Sequence, residues 1–517
     1  MATNDDNGQD DVAGRPAYEG MFDPLIAHHA RVLDPTKATR IGDELFDSTI
    51  YVADRVLVRG MPDDAQQQSF VDWCKEKGYT ASPTREHRAL AERARGAQNA
   101  ASLIRSWVTP LRITPNEGEA RTVDAWALLQ DWRASRPADD AAGRALVGLD
   151  HLMFANGVVG QTMTVGGTMT VGGTMTVGGT MTVGGTMTVG GAVRAQYVVP
   201  GLGGLTPVAW RGPAPLRQPK LARRPVVAIL DTGVGAHPWL AEGVTVLPGP
   251  MGSEPEGTGV VHDPLEGTLD DHSGHGTFIA GLVRQTCPDA DILMVQVMKA
   301  DGFVPEHEMV EALENLGVLV GNGQPLHVVS MSFGYYHEAP DDVRTDASLA
   351  AALQPLADAG CLLVASAGND ATTRRMFPAA LDHRPVGALL DILSVGALNP
   401  NGTVALFSNS GDWVDVHEHG AAVVSTLPTT FDASLQPTAR TQYSDGTVRE
   451  SIDPDDFSGG FGTWSGTSFS APIVAGRLAQ DLLDRWTRAT GKRAVGPKVS
   501  RRRVVTALEK ARRPGPT

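Results

Sequence analysis

The chain has 517 residues, 42% of them hydrophobic and 20% charged, an ordinary balance for a folded protein with room for two or three domains. Its formal net charge of −15 argues against a general nucleic-acid binder. No run approaches the ~20 apolar residues needed to cross a bilayer, so no membrane partner is expected. The acidic start "MATNDDNGQDDVAGRP" lacks the basic region and apolar core of an export signal, so the expected compartment is the cytoplasm.

In chain order, residues 1–47 read as a loose polar leader. A small α+β unit follows at 48–156. "STIYVADRVLVRG" reads as a strand and "DDAQQQSFVDWCKEKGY" as an amphipathic helix with Phe70, Val71 and Trp73 among its apolar positions. "SWVTPLRITP" is a further strand, "TVDAWALLQDWRAS" a second helix and "ALVGLDHLMFA" a last strand. The stretch from Thr84 to Ser106 scans as helix but leaves room for a hidden strand. A β-α-β-β-α-β, ferredoxin-like order is expected.

Residues 157–221 form a linker that carries a perfect repeat, "TMTVGG", five times over 162–191. Thr-Met-Thr-Val favours extended backbone and Gly-Gly interrupts it. A flexible tether, a small repeat sheet and a specific ligand site are the readings open to it. As a coil, this length spans roughly 30 Å, enough to let two domains dock or separate.

From 222 to 490 the pattern changes. "RPVVAIL", "ADILMVQVM", "PLHVVSMSFG" and "GCLLVASAGN" are short apolar runs separated by helical segments. Alternating strands and helices with runs buried on both faces predict a parallel sheet covered by helices, and reactive groups gather at the C-terminal edge of such sheets. The last segment, 491–517, is basic and reads as a solvated tail or helix. Cys74, Cys287 and Cys361 are too few and too far apart for a disulfide framework or a metal site; Cys361, in an apolar run, reads as a small buried hydrophobe.

Three signals fall at the ends of those strands. In "VVAILDTGVGAHPWL", Asp231 closes an apolar strand, a position a turn-forming Asp also fills. In "DDHSGHGTFIAGLV", His275 opens a helix whose Gly276, Ala280 and Gly281 permit close packing, with His272 as a competitor. In "TWSGTSFSAPIVAG", Ser468 stands where a helix begins and free N–H groups favour negative charge. Pro472 is expected in the first turn, where no intrahelical bond is lost. A serine hydroxyl attacks only when a base takes its proton, and an imidazole held by a carboxylate does this near neutral pH. The expected roles are Ser468 as nucleophile, His275 as proton shuttle and Asp231 as the group that orients it. "VASAGND" offers Asn369, on a Gly-flanked turn, as an oxyanion donor beside the Ser468 N–H.

The order Asp, His, Asn, Ser within DTG, HGT, AGN and GTSxxxP resembles the subtilisin-like (S8) serine peptidases over roughly residues 222–485. The resemblance implies the subtilisin-like α/β fold, peptide-bond hydrolysis through an acyl-enzyme, and Asp231, His275 and Ser468 as triad with Asn369 as oxyanion donor. It implies Ser332, Phe333 and Gly334, with Ser366, Ala367 and Gly368, as walls that hold a protein or peptide substrate. Extended peptides add to such strand edges through main-chain hydrogen bonds. Phe469 and Ser470 replace the more usual Met-Ala, and "GYYHE" is bulky; both bear on subsites rather than on the reaction. The related sedolisins use a Glu-Asp pair and an acidic oxyanion residue, and His275 and Asn369 point away from them.

The resemblance also implies that the unit at 48–156 is a propeptide-like domain that blocks the cleft with its C-terminal strand and is removed by self-cleavage between about 157 and 221. Restraint by this domain or by a regulatory protein partner is expected of a protease without an export signal. No cofactor is required. Structural calcium stays open: carboxylates abound in "DDH" and "DPDD", yet no loop has calcium-ligand spacing. Two other readings remain: an inactive binding protein that kept the fold, and an esterase using the same triad.

Overall fold

The computed structural model describes residues 25–38, 46–137, 139–156, 175–176, 180–181, 197, 203–249, 256–257, 267–339, 348–381 and 390–488. The basic segment at 491–517 lies outside them, as does most of the repeat; within the repeat, Met175–Thr176 pairs with Thr180–Met181.

The small unit begins earlier than its sequence suggests. Ala30–Leu33 (β1), inside the expected polar leader, pairs antiparallel with Thr49–Arg59 (β2). Then follow Ala65–Glu76 (α1), Tyr79–Ser82 (β3), Arg85–Arg95 (α2), Ala100–Ser106 (α3), Val108–Pro115 (β4), Ala125–Ala134 (α4) and Val147–Ala155 (β5). The strands pair antiparallel in the order β5-β2-β4-β3. The strand sought between Thr84 and Ser106 lies just ahead of that stretch, at β3. Its four residues, three of them at least partly exposed, give too short an alternation to stand out. The stretch itself is two helices because Thr84 caps α2, accepting a hydrogen bond from the His87 N–H.

The larger unit is built on Val226–Asp231 (β6), Val244–Leu247 (β7), Asp291–Gln296 (β8), Val328–Met331 (β10), Leu362–Ser366 (β12), Ile392–Leu398 (β13) and Val416–His419 (β14). They form one parallel sheet in the order β7-β8-β6-β10-β12-β13-β14. All six residues of β6 are buried, as a strand covered on both faces requires. Helices His275–Thr286 (α5) and Thr467–Arg488 (α8) pack on one face and on each other, in a cluster holding Phe278, Ile279, Phe469, Val474 and Ala475. Glu306–Gly321 (α6) and Ser348–Asp358 (α7) belong to a second cluster, with Met309, Leu313, Leu349 and Leu353.

That second cluster crosses between the units. It includes Leu57, Val108, Met153 and Phe154 from the small sheet. β5 runs antiparallel to two short strands of the large unit, Phe303–Pro305 (β9) and Phe333–Gly334 (β11). Main-chain pairing and shared apolar burial thus bind the last strand of the small unit into the large one.

Candidate active site

Asp231 ends β6, and parallel pairing on both sides places that end at the C-terminal rim of the sheet. His275 is the first residue of α5. The imidazole Nδ1 lies 2.8 Å from Asp231 Oδ1, which also accepts from the Thr232 N–H at 2.8 Å. Both side chains are fully buried. A carboxylate on Nδ1 leaves the lone pair on Nε2, and His275 Nε2 is buried without a hydrogen-bond partner among the described residues. Gly276 makes the approach of α5 to the Asp231 turn feasible: a Cβ there would sit 2.2 Å from the Gly233 carbonyl oxygen. His272, the competitor, lies outside the pairing, its ring 5.4 Å from that of His275.

Ser468 is the second residue of α8 and fully buried. Its hydroxyl donates to the Ser332 carbonyl at 3.1 Å, and the Ser332 hydroxyl donates back to the Ser468 carbonyl at 2.9 Å. Here the sequence expectation needs correction. Pro472 stands in the second turn of α8, not the first, because the helix already begins at Thr467. A proline four residues on supplies no N–H to the Ser468 carbonyl, and Ser332 provides the missing donor.

Asn369 follows β12 and meets the start of α8 at Thr467. Its Oδ1 accepts from both the N–H and the hydroxyl of Thr467, each at 2.9 Å, which turns its Nδ2 outward. That Nδ2 donates to the carbonyl oxygen of Asn156, and the Ser468 N–H donates to the same oxygen at 3.2 Å. Asn156 is the residue directly after β5. Its N–H donates to the Ser332 carbonyl at 3.0 Å and its Nδ2 to Ser366 Oγ at 2.7 Å. Upstream, the Ala155 N–H donates to the Gly302 carbonyl at 2.8 Å, and Phe333 and Gly334 pair with Ala155 and Phe154. Ala367 is fully buried. Gly368 has φ +100°, and a Cβ there would meet Asn409 Nδ2 at 2.4 Å, so glycine alone fits this turn. These contacts gather Ser332, Phe333, Gly334, Ser366, Asn369 and Ser468 around the end of β5, and a separate contact joins Asp231 to His275.

The family question rests on how far this arrangement extends along the chain, and the description "Subtilase family" matches residues 222–511. This chain belongs to that family. Subtilisin BL of Lederbergia lenta is 30% identical over 224 residues, spanning 41% of this chain and 70% of the relative. The Intracellular serine protease of Paenibacillus polymyxa is 28% identical over 269 residues, 49% of this chain and 65% of the relative. A crystal structure of a lanthipeptide protease aligns with a TM-score of 0.39 at 22% identity, over 55% of this chain and 79% of that one. The subtilase is a serine endopeptidase, a hydrolase of protein or peptide substrates. Among its described residues no helix is long and apolar enough to cross a membrane.

Several site residues of this subtilase escaped the sequence reading. Glu256 joins the Asp231 and His275 turns: it accepts from the hydroxyls of Thr232 and Thr277 and from the Gly274 N–H. Burial pushes its carboxyl up to about 7, against the pull of the two threonines. It sits in "GPMGSEPEGTG", a polar stretch with no motif to flag it. Asn156 follows the run "ALVGLDHLMFA" and Thr467 lies inside "TWSGTSFSAPIVAG", neither with a role of its own; only the contact between distant segments gives them one.

A second group lies where β5 enters. His151 holds Glu306 Oε2 at 2.7 Å through Nδ1 and Glu338 Oε2 at 2.9 Å through Nε2. Burial alone would lower its pKa, but hydrogen bonds and charge from the two glutamates hold it well above the usual histidine range. Asp150 pairs with His307 at 2.7 Å; burial would raise its pKa, and His307 and Arg55 hold it below the usual value. From the "DPDD" run, Asp453 and Asp455 gather with Asp432. Burial first, then these acidic neighbours, raise the Asp455 carboxyl to about 6.

Proposed function

We propose that this subtilase cleaves peptide bonds with Ser468 as nucleophile, His275 as base and Asp231 as orienting carboxylate, and that its own N-terminal unit occupies the cleft as an inhibitor. One observation carries the reading. The Asn156 carbonyl oxygen sits on the Ser468 N–H and Asn369 Nδ2, the position an acyl oxygen takes as it becomes negative. The strand that delivers it is antiparallel to both β9 and β11, as an extended substrate adding to strand edges would be.

The reaction then follows from the groups in place. The Ser468 hydroxyl swings from the Ser332 carbonyl to His275 Nε2 and loses its proton there as Oγ attacks the acyl carbon. Negative charge gathers on the oxygen held by Ser468 N–H and Asn369 Nδ2. His275, charged and steadied by Asp231, hands the proton to the leaving amine, and the C–N bond breaks. Water repeats the sequence on the ester: its oxygen joins the acyl carbon, one proton passes through His275 to Oγ, and the serine is restored.

The same geometry makes the chain its own first substrate, cut on the carboxyl side of Asn156. The cleaved strand, held by main-chain pairing and by the Asp150–His307 and His151–glutamate contacts, would stay bound and block the cleft. Mass spectrometry of purified wild type beside Ser468→Ala tests this. The expected result is a wild-type chain cut after Asn156 and an intact Ser468→Ala chain, with fluorophosphonate labelling only of the former. An uncut, unlabelled wild type would remove the catalytic reading and favour a binding protein; turnover of acyl esters without cleavage of any peptide would favour an esterase.

A further inference from the structure

We propose that Ser366 makes this protease selective for asparagine on the acyl side of the cut bond. This rests on the catalytic reading above and adds the substrate class.

In the complex that the chain makes with itself, Asn156 is fixed at four points. Its N–H reaches the Ser332 carbonyl at 3.0 Å, and its carbonyl oxygen reaches the Ser468 N–H at 3.2 Å and Asn369 Nδ2. Those three contacts use only the backbone of Asn156 and hold any residue. The fourth, Asn156 Nδ2 to Ser366 Oγ at 2.7 Å, is made by the side chain and distinguishes asparagine from other residues. Asn156 is 1% exposed and Ser366 is fully buried, so neither group can turn to solvent for a substitute.

Burial converts that contact into selectivity. A leucine or methionine in the same place would leave the buried Ser366 hydroxyl without this partner, and an unpaired buried polar group is costly. An aspartate would bury a negative charge where asparagine buries a neutral amide. A glutamine carries its amide one methylene deeper into a pocket already closed around the shorter chain. The upstream positions add shape: Ala155 and Met153 are both buried, and Val304 pairs with Met153 while Phe333 pairs with Ala155. The preferred substrate is therefore an extended peptide with asparagine at the cut, a small residue before it and an apolar side chain three positions before the asparagine.

The test uses the purified full chain, with peptide in large excess so that it competes with the bound N-terminal strand, on peptides that share the Leu-Met-Phe-Ala-Xaa acyl side, with Xaa as Asn, Asp, Gln, Leu or Ala, followed by mass spectrometry. Expected is a kcat/KM for Asn about tenfold or more above that for Leu, Gln and Asp, and a fall of the Asn-to-Leu ratio by about tenfold in Ser366→Ala. If Ser366→Ala does not fold, the wild-type peptide series decides. Cleavage of the set without a preference for Asn overturns this inference and leaves the protease reading standing; fluorophosphonate labelling with no peptide cut overturns this inference and leaves only the activated serine, as in an esterase. Absence of both labelling and cleavage removes the catalytic reading, and this inference with it.

Discussion

Asn369 has two faces with separate work. Its Oδ1 is clamped twice by Thr467 at 2.9 Å, so its Nδ2 is aimed before any substrate arrives. Donors fixed in advance stabilise a forming oxyanion without reorganising. Asn369→Ala should bind peptides with little change in KM and lose about 10²–10³ in kcat, the magnitude that removing one such donor has in subtilisin, a member of the same family. Steady-state kinetics on a peptide substrate measures the split. A variant with a raised KM and an unchanged kcat would show that Asn369 only binds.

At the scale of the element, α8 carries an exchange between Ser332 and Pro472. The proline denies the Ser468 carbonyl its helical donor, and the Ser332 hydroxyl replaces it at 2.9 Å. The helix end is thereby tied to the loop between β10 and β11. Ser332→Ala should leave a buried carbonyl unsatisfied and cost about 1–3 kcal/mol. Adding Pro472→Ala restores an N–H from within the helix, so the double variant should recover part of that loss. Urea midpoints of the four chains, all in a Ser468→Ala background to prevent self-cleavage, give the coupling. Additive effects of the two substitutions would mean the two donors do not replace one another.

At the scale of the molecule, docking of the small unit is linked to protons. His151 faces Glu306 and Glu338 directly and His337 across the ring at 5.2 Å; Asp150 faces His307, with Arg55 nearby. Docked, His151 holds its proton well above 6.5, its ordinary value. A raised histidine pKa means that docking is fully supported below about 6.5 and weakens as pH rises through the docked value. The lowered Asp150 and Glu338 work in the opposite sense: their support is present above the usual carboxylate range and fades as pH falls through it. Hydrogen exchange of β5 amides in full-length Ser468→Ala should therefore speed up, beyond the intrinsic rate change, from pH 6 to pH 9. His151→Gln should flatten that rise. Equal protection at both pH values in the unsubstituted background would exclude a role for His151 in docking.

Local chemistry carried much of this protein's sequence legibility. Apolar runs such as "RPVVAIL" require burial on both faces, and alternating helices then require a parallel sheet, because periodicity is written residue by residue. Asp231, His275, Asn369 and Ser468 stood out because each lies in a short motif at a strand end or helix start. What needed the tertiary structure was every contact between segments far apart in the chain. Ala30–Leu33 becomes a strand only because β2 offers it an edge. β3 was hidden because four residues make too brief a pattern. Pro472 appeared to mark the helix start because the partner that excuses it, Ser332, is 136 residues from Ser468. Glu256 and Asn156 carry no local signature at all. Their positions follow from which surfaces can be buried together, and that is decided by packing of the whole chain rather than by any stretch of it.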